Sequence, residues 1–349
     1  MPEPLLSIEG LIVDFPTQDG IVHAVRGVTY DLHPGEVLGI VGESGSGKSV
    51  SSLAVMGLLP KSAQVQGSIR FRGEELLGRK AKELNAIRGK QIAMIFQDPM
   101  TSLDPVYTVG WQVAESVRAH NHVSKKAALD RAIDLLQLVG IPNAKQRAGN
   151  YPHEFSGGMR QRAVIAIAMA NNPDVIIADE PTTALDVTIQ AQVLEVLRTA
   201  REETGAAMVL ITHDLGVVAG AADKVLVMYA GRPVEIGTVD EVYYRPRMPY
   251  TVGLLGSLPR LDVDGDERLR PIIGAPPSLI SLPLGCPFSP RCPLSRAHCE
   301  EEEPELRLIE RGDHLAACHY AEELVAADDE FALFAPRSDD AVIEGESTA

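Results

Sequence analysis

The octet Gly42 to Ser49, GESGSGKS, fits the pattern G-x-x-x-x-G-K-[ST] and constrains the fold more than any other segment. Such a loop works only between a buried strand and a helix. The preceding run VLGIV, Val37 to Val41, is short, apolar and β-branched, as a buried strand should be, and SVSSLAVMGLL after it fits a helix. Gly42, Gly45 and Gly47 let the backbone approach an anion closely, so that the N–H groups of the loop and the helix N-terminus face phosphates. Ser44 belongs to the same nucleotide-binding set; Lys48 reaches the β- and γ-phosphates and the Ser49 hydroxyl holds Mg²⁺. The plainer alternative, a Gly/Ser turn that matches by chance, has to ignore the flanking strand and helix and the later motifs.

Around this loop the chain alternates strand and helix. Residues 5–13 and 21–32 alternate apolar and polar as antiparallel strands, with a turn around Gln18, Asp19 and Gly20. Residues 65–72 and 91–96 read as strands, and from about 106 to 165 the spacing becomes helical in VYTVGWQVAESVRAH and KKAALDRAIDLLQLVG. Residues 174–179, 207–212 and 223–229 are buried-strand runs separated by helices, which predicts an α/β fold with a mostly parallel, doubly wound sheet. Residues 259–285, rich in Pro, Asp and Gly, read as a linker.

Two further segments carry chemistry. DVIIADE, Asp174 to Glu180, is an apolar strand ending in two carboxylates. Beside the phosphate loop, Asp179 would reach the Mg²⁺ sphere and Glu180 would polarise a water for attack on the γ-phosphate. Its plainer reading is a strand with a solvated acidic end. HEFSGGMRQR, His153 to Arg162, precedes an apolar helix, and Ser156, Gly157 and Gly158 can form a second anion-binding helix N-terminus. An SGG triplet alone is more often a helix cap; in a chain with one phosphate loop already, it points to ATP held between two subunits.

Together these residues resemble an ATP-binding cassette (ABC) protein over about residues 5–258. Gly42–Ser49 resembles Walker A, Gln97 the Q-loop glutamine, Phe155–Met159 the signature motif and Val175–Glu180 Walker B. Ala184, Leu185 and Asp186 resemble the D-loop, His213 the switch histidine, and Phe15 the aromatic that stacks on adenine. The resemblance implies a P-loop NTPase cassette, a RecA-like mixed sheet with an antiparallel β subdomain and a helical subdomain at about 100–165, within a nucleotide-binding domain at 1–258. It implies a head-to-tail dimer, Mg²⁺ held by Ser49, Gln97 and Asp179, and hydrolysis served by Glu180, His213 and Gln97. YPHEFSGGMRQR, FQDPMTSLDPVYTVG and GCPFSPRCP narrow the resemblance to ATPases of dipeptide and oligopeptide importers, a group that includes nickel transporters. That implies two permease subunits, an extracytoplasmic substrate-binding protein and a place at the cytoplasmic face of the membrane. Met159, where Gln is common, resembles the first of two non-identical ATPase subunits, so a heterodimer is expected.

Four cysteines, Cys286, Cys292, Cys299 and Cys318, fall in 259–322 with spacing C-x5-C-x6-C-x18-C. In a cytosolic chain such a group points to metal rather than disulfides. Zinc prefers tighter pairs, four thiolates suit a [4Fe–4S] cluster, and free buried thiols are the third reading; His298, His314 and His319 are nearby alternative ligands. The importer ATPases it resembles carry such a unit with an iron–sulfur cluster, which implies a small C-terminal cysteine-rich unit of structural role, remote in sequence from the nucleotide motifs. The last segment, 323–349, is acidic and expected to be disordered: from 321 to 349 there are nine acidic residues and one basic. The net charge of −16 argues against a nucleic-acid partner. No run approaches the roughly 18 apolar residues of a membrane span, and the N-terminus lacks the pattern of a signal peptide. Two other classes remain: a soluble ABC ATPase of translation or DNA repair, and a module that senses ATP without hydrolysing it.

Overall fold

The computed structural model describes residues 3–183, 185–257, 272–309, 312–326 and 334. The acidic segment beyond residue 326, apart from Phe334, and most of the first half of the expected linker lie outside these residues.

Two sheets form among the described residues. β1 (Leu6–Thr17), β2 (Gly20–Leu32), β4 (Gln64–Phe71) and β5 (Glu74–Glu75) form an antiparallel sheet in the order β2-β1-β4-β5. Thr17 pairs with Gly20, so the hairpin turns at Gln18 and Asp19, as the sequence predicts. The larger sheet contains β3 (Val37–Val41), β6 (Ile92–Ile95), β7 (Val175–Asp179), β8 (Ala207–Thr212), β9 (Lys224–Tyr229), β10 (Arg232–Thr238), β11 (Arg307–Leu308) and β12 (Leu315–Ala316), in the order β11-β12-β10-β9-β3-β8-β7-β6. Pairing is parallel from β9 through β6 and antiparallel at β10, β12 and β11. Every residue of β3, β7 and β8 is buried, because helices cover one face of the sheet and the antiparallel sheet, with the helix after the phosphate loop, packs on the other. Each fully buried Val, Leu or Ile there contributes roughly 1.5–3 kcal/mol.

The helices follow in order: α1 (Lys48–Val55), α2 (Ala81–Ile87), α3 (Pro99–Ser102), α4 (Val109–His120), α5 (Lys125–Leu138), α6 (Ala144–Arg147), α7 (Gly157–Met169), α8 (Val187–Thr204), α9 (Leu215–Ala219), α10 (Val239–Tyr244), α11 (Pro249–Gly256) and α12 (Ala297–Glu301). α4 to α7 occupy the segment whose spacing is helical. Val109, Val113 and Val117 lie four apart on the buried stripe of α4, and Ala128, Ala132, Leu135 and Leu136 form that of α5. Thr108 and Ser124 cap them, their hydroxyls accepting from the Trp111 and Ala127 N–H groups.

The C-terminal segment corrects one expectation. It is not a separate cysteine-rich unit: β12 pairs with β10 and extends the main sheet. Phe288 is fully buried in one core cluster with Tyr229, Tyr250, Met248 and Leu255, its ring 5.3 Å from Tyr229 and 5.4 Å from Tyr250. Among the described residues, no helix is long and apolar enough to cross a membrane.

Candidate functional site

The sheet brings four loops to one edge. The phosphate loop follows β3, Gln97 follows β6, Glu180 follows β7 and His213 follows β8. These strands run parallel, with Ile95 beside Ala178, Asp179 beside Ile211, and Val41 beside Thr212. Their carboxyl ends form the crevice where open α/β sheets bind ligands.

Lys48 opens α1 and is 4% exposed, its ammonium donating to the carbonyls of Gly42 (2.7 Å) and Glu43 (2.9 Å). Burial lowers its pKa, against the opposing pull of Glu180, Asp179 and Glu43. The Ser49 hydroxyl donates to Asp179 Oδ1 at 2.8 Å. Burial raises the Asp179 pKa, and neighbouring Glu180 pushes the same way. A hydroxyl and a buried carboxylate in contact beside a phosphate loop are donors that could hold Mg²⁺ together with phosphates and water.

Glu180 is the second centre. One oxygen, Oε2, accepts from Gln97 Nε2 (3.0 Å) and Thr183 Oγ1 (2.7 Å) and lies 3.6 Å from His213 Nδ1. Its backbone has φ +45°, a left-handed conformation uncommon for a residue with a side chain. Its N–H donates to the Ile211 carbonyl of β8, which fixes that turn. The arrangement can hold a carboxylate in one orientation and receive a proton from water. Thr183 was not among the sequence candidates; it lies three residues past Glu180, in the turn where Thr183 N–H donates to Glu180 O. Thr183→Val is expected to lower kcat about tenfold, the scale of one hydrogen bond to a charged group, with KM for ATP little changed. Steady-state phosphate release measures both.

The other predicted residues are placed as follows. Ser156 caps α7, its hydroxyl accepting from the Met159 N–H, with Gly157 and Gly158 as the first helical residues. α7 packs on α3, α4, α5, α8 and β6, within the helical layer. A Cβ on Gly158 would lie 2.6 Å from Ile189, and Asp186 caps α8 by accepting from that residue's N–H. Leu185 and Asp186 thus adjoin the SGG turn; Ala184 lies outside the described residues. Ser44 and Gly45 lie in the phosphate loop between β3 and α1. Phe15 pairs with Val22 in the antiparallel sheet, its ring packed in part on the strand core. Gln97, expected on the metal, has its amide on Glu180.

The four thiols do meet: Cys286, Cys292, Cys299 and Cys318 line one small cavity of about 20 Å³, with His319 on the same wall. Burial raises the Cys286 thiol and pushes Cys292 and Cys318 up to about 12, and the neighbouring thiols add to each shift. Among the described residues, however, no group of three or more His, Cys, Asp or Glu side chains is arranged to hold a metal ion. Neither expected centre, [4Fe–4S] or zinc, is supported by this geometry. The His298 ring lies 4.2 Å from that of His319, tilted by 44°; the His319 ring contacts the Glu302 carbonyl, and His314 meets Glu235 at 2.8 Å in the core.

Residues 25–183 match the family described as ABC transporter, and residues 234–299 match the oligopeptide/dipeptide transporter C-terminal region. The oligopeptide transport ATP-binding protein OppD of Mycobacterium tuberculosis is 58% identical over 316 residues, covering 90% of this chain and 52% of that protein. The dipeptide transport ATP-binding protein DppD of Bacillus subtilis is 54% identical, covering 90% of this chain and 94% of the relative. The chain belongs to the ABC transporter ATP-binding family. This chain spans about half the length of the mycobacterial relatives it matches. A solved dimer of the ATP-binding cassette MJ0796, in a post-hydrolysis state bound to ADP and Pi, is similar over 67% of this chain and 98% of its own, at 26% identity and a TM-score of 0.60. The chain therefore has the P-loop cassette fold that its phosphate loop predicts.

Proposed function

We propose that this chain is the ATP-hydrolysing subunit of an importer of dipeptides or oligopeptides, working at the cytoplasmic face of the membrane. The observation that carries the reading is the convergence of Gln97, Thr183 and His213 on Glu180, beside the Ser49–Asp179 contact and the phosphate loop. Mg²⁺, when bound, neutralises charge on the β- and γ-phosphates; Ser49 and Asp179 hold it, with Gln97 at its edge. Lys48 leaves its loop carbonyls for the phosphates. Glu180 accepts the proton of the attacking water, and His213 faces the γ-phosphate across the same pocket. Ser156, Gly157 and Gly158 present their helix N-terminus to ATP on a second ATPase subunit, and Asp186 and Leu185 line that contact. A non-identical partner is favoured by Met159, whose sulfur accepts from Arg147 within the chain.

The substrate class follows the relatives, whose names state oligopeptide or dipeptide transport; nickel is the alternative cargo of the same architecture. A permease helix docks between the Gln97 loop and the helical insertion, where Phe96, Met100, Val106 and the stacked pair Tyr107 and Trp111 are exposed. Exposed apolar side chains gathered within residues 96–111 suit an interaction surface. The iron–sulfur reading of the cysteines rests on residue type alone, four thiols in one segment, since their arrangement is not one that holds a metal ion. One experiment tests all of this. The tagged chain, extracted from native membranes in mild detergent, is expected to bring two permeases and a second ATPase, with a substrate-binding protein that selects peptides over Ni²⁺. Recovery with ribosomes, nucleic acid or nothing would refute the importer. Iron and acid-labile sulfide, measured on the same material, decide the cluster.

A further inference from the structure

The cysteine segment is remote from the phosphate loop in sequence and adjacent to it in space. Arg291 sits in a short 3-10 turn, Ser289–Arg291, between Cys286 and Cys292. Its side chain is 5% exposed and forms a bidentate pair with Glu43: Nη1 to Oε2 at 2.7 Å and Nη2 to Oε1 at 2.8 Å. Fork-on-carboxylate geometry of this kind fixes orientation as well as charge. The guanidinium lies 5.8 Å from the Tyr229 ring centre and 5.9 Å from that of Phe288, and donates to the Tyr229 hydroxyl at 3.3 Å.

Glu43 is the second residue of the phosphate loop. Its N–H donates to the Tyr250 hydroxyl at 2.8 Å, and its carbonyl accepts from Lys48 and from the Ser46 N–H. One loop residue is thus held from the C-terminal side through both its backbone and its carboxylate. The segment is anchored a second time where Glu303 pairs with Arg26 and Arg232, next to Gly231, whose N–H donates to the Ser46 carbonyl of the loop. Glu43 is also one of three carboxylates close enough to act on Lys48. An unpaired carboxylate in that position would repel a polyphosphate.

We propose that Arg291 is a positioning residue of the nucleotide site: by neutralising and orienting Glu43 it sets the phosphate loop for ATP, so the cysteine segment is part of the ATP-binding machinery. This rests on the nucleotide reading of the loop, and it adds a residue that no phosphate-loop motif contains. Binding of Mg-ATP by the full chain, with thermal unfolding followed in parallel, tests it. Arg291→Ala is expected to weaken ATP binding about tenfold, the scale of a lost charge-assisted pair. The double variant Arg291→Ala with Glu43→Gln is expected to return to within about threefold of wild type, because no bare carboxylate remains. A strut that merely packs would not be rescued by removing its partner's charge. Unchanged binding in Arg291→Ala, or a double variant no better than the single, overturns the proposal. Arg291→Gln carries the same comparison if the alanine variant does not fold. Lys48→Ala is the reference: a wild type that binds no more tightly than Lys48→Ala refutes the nucleotide reading, and the proposal with it.

Discussion

Glu180→Gln is expected to lower ATP turnover by roughly a thousandfold, within the range a positioned general base supplies, while leaving ATP affinity within about threefold of wild type. The split follows from where the residue sits. Lys48, Ser49 and the loop amides do not touch Glu180, so the groups that would hold the phosphates remain. What is lost is a charged oxygen that meets Gln97, Thr183 and His213 at 3.0, 2.7 and 3.6 Å. The amide has the same shape, can still accept from the Thr183 hydroxyl, and cannot take a proton from water. Phosphate release by the full chain, with nucleotide binding measured separately, reads the two effects apart. A wild type that hydrolyses no faster than the variant would remove the enzyme reading and leave an ATP-sensing module. A variant that also fails to bind would move Glu180 from turnover into binding.

What the sequence made legible was local. A five-residue apolar run, a glycine loop and a helix start specify one another over about 20 residues, and β3, the loop and α1 appear where the pattern puts them. The same holds for β7 and its two carboxylates. The missed elements depended on distance or on a backbone exception. β10 reads RPVEIGT, and Pro233 and Gly237 argue against a strand; it forms because its register against β9 shifts between Pro233 and Glu235 and absorbs the proline. β11 and β12 have two residues each and exist by pairing with one another and with β10. The left-handed turn at Glu180 gave no signal, since no glycine marks it. Thr183 could have been found as a hydroxyl within one turn of the carboxylate. Arg291 could not, for 248 positions separate it from Glu43, and its role as a loop neighbour exists only once Phe288 has entered the core beside Tyr229 and Tyr250.

Gly47→Ala is expected to abolish measurable ATP binding, a loss of at least about a hundredfold, and to destabilise the fold by roughly 3 kcal/mol through strain and clash together. Gly47 caps α1 with φ +97°, and a Cβ there would lie 2.3 Å from the Ala24 carbonyl oxygen. Ala24 is buried backbone of β2, so that oxygen cannot swing aside as a side-chain tip could. The loop would have to withdraw, and the Lys48 and Ser49 groups, one and two residues on, would withdraw with it. Gly45→Ala supplies the internal comparison: φ is +80°, yet nothing lies within 4 Å of its Cβ. It carries the backbone cost alone, about 1 kcal/mol, with a loss of affinity nearer fivefold. Titration with Mg-ATP and thermal unfolding of the two variants should therefore separate them widely. Equal losses would mean that left-handed strain, rather than the close approach of β2 to the loop, sets the requirement for glycine at position 47.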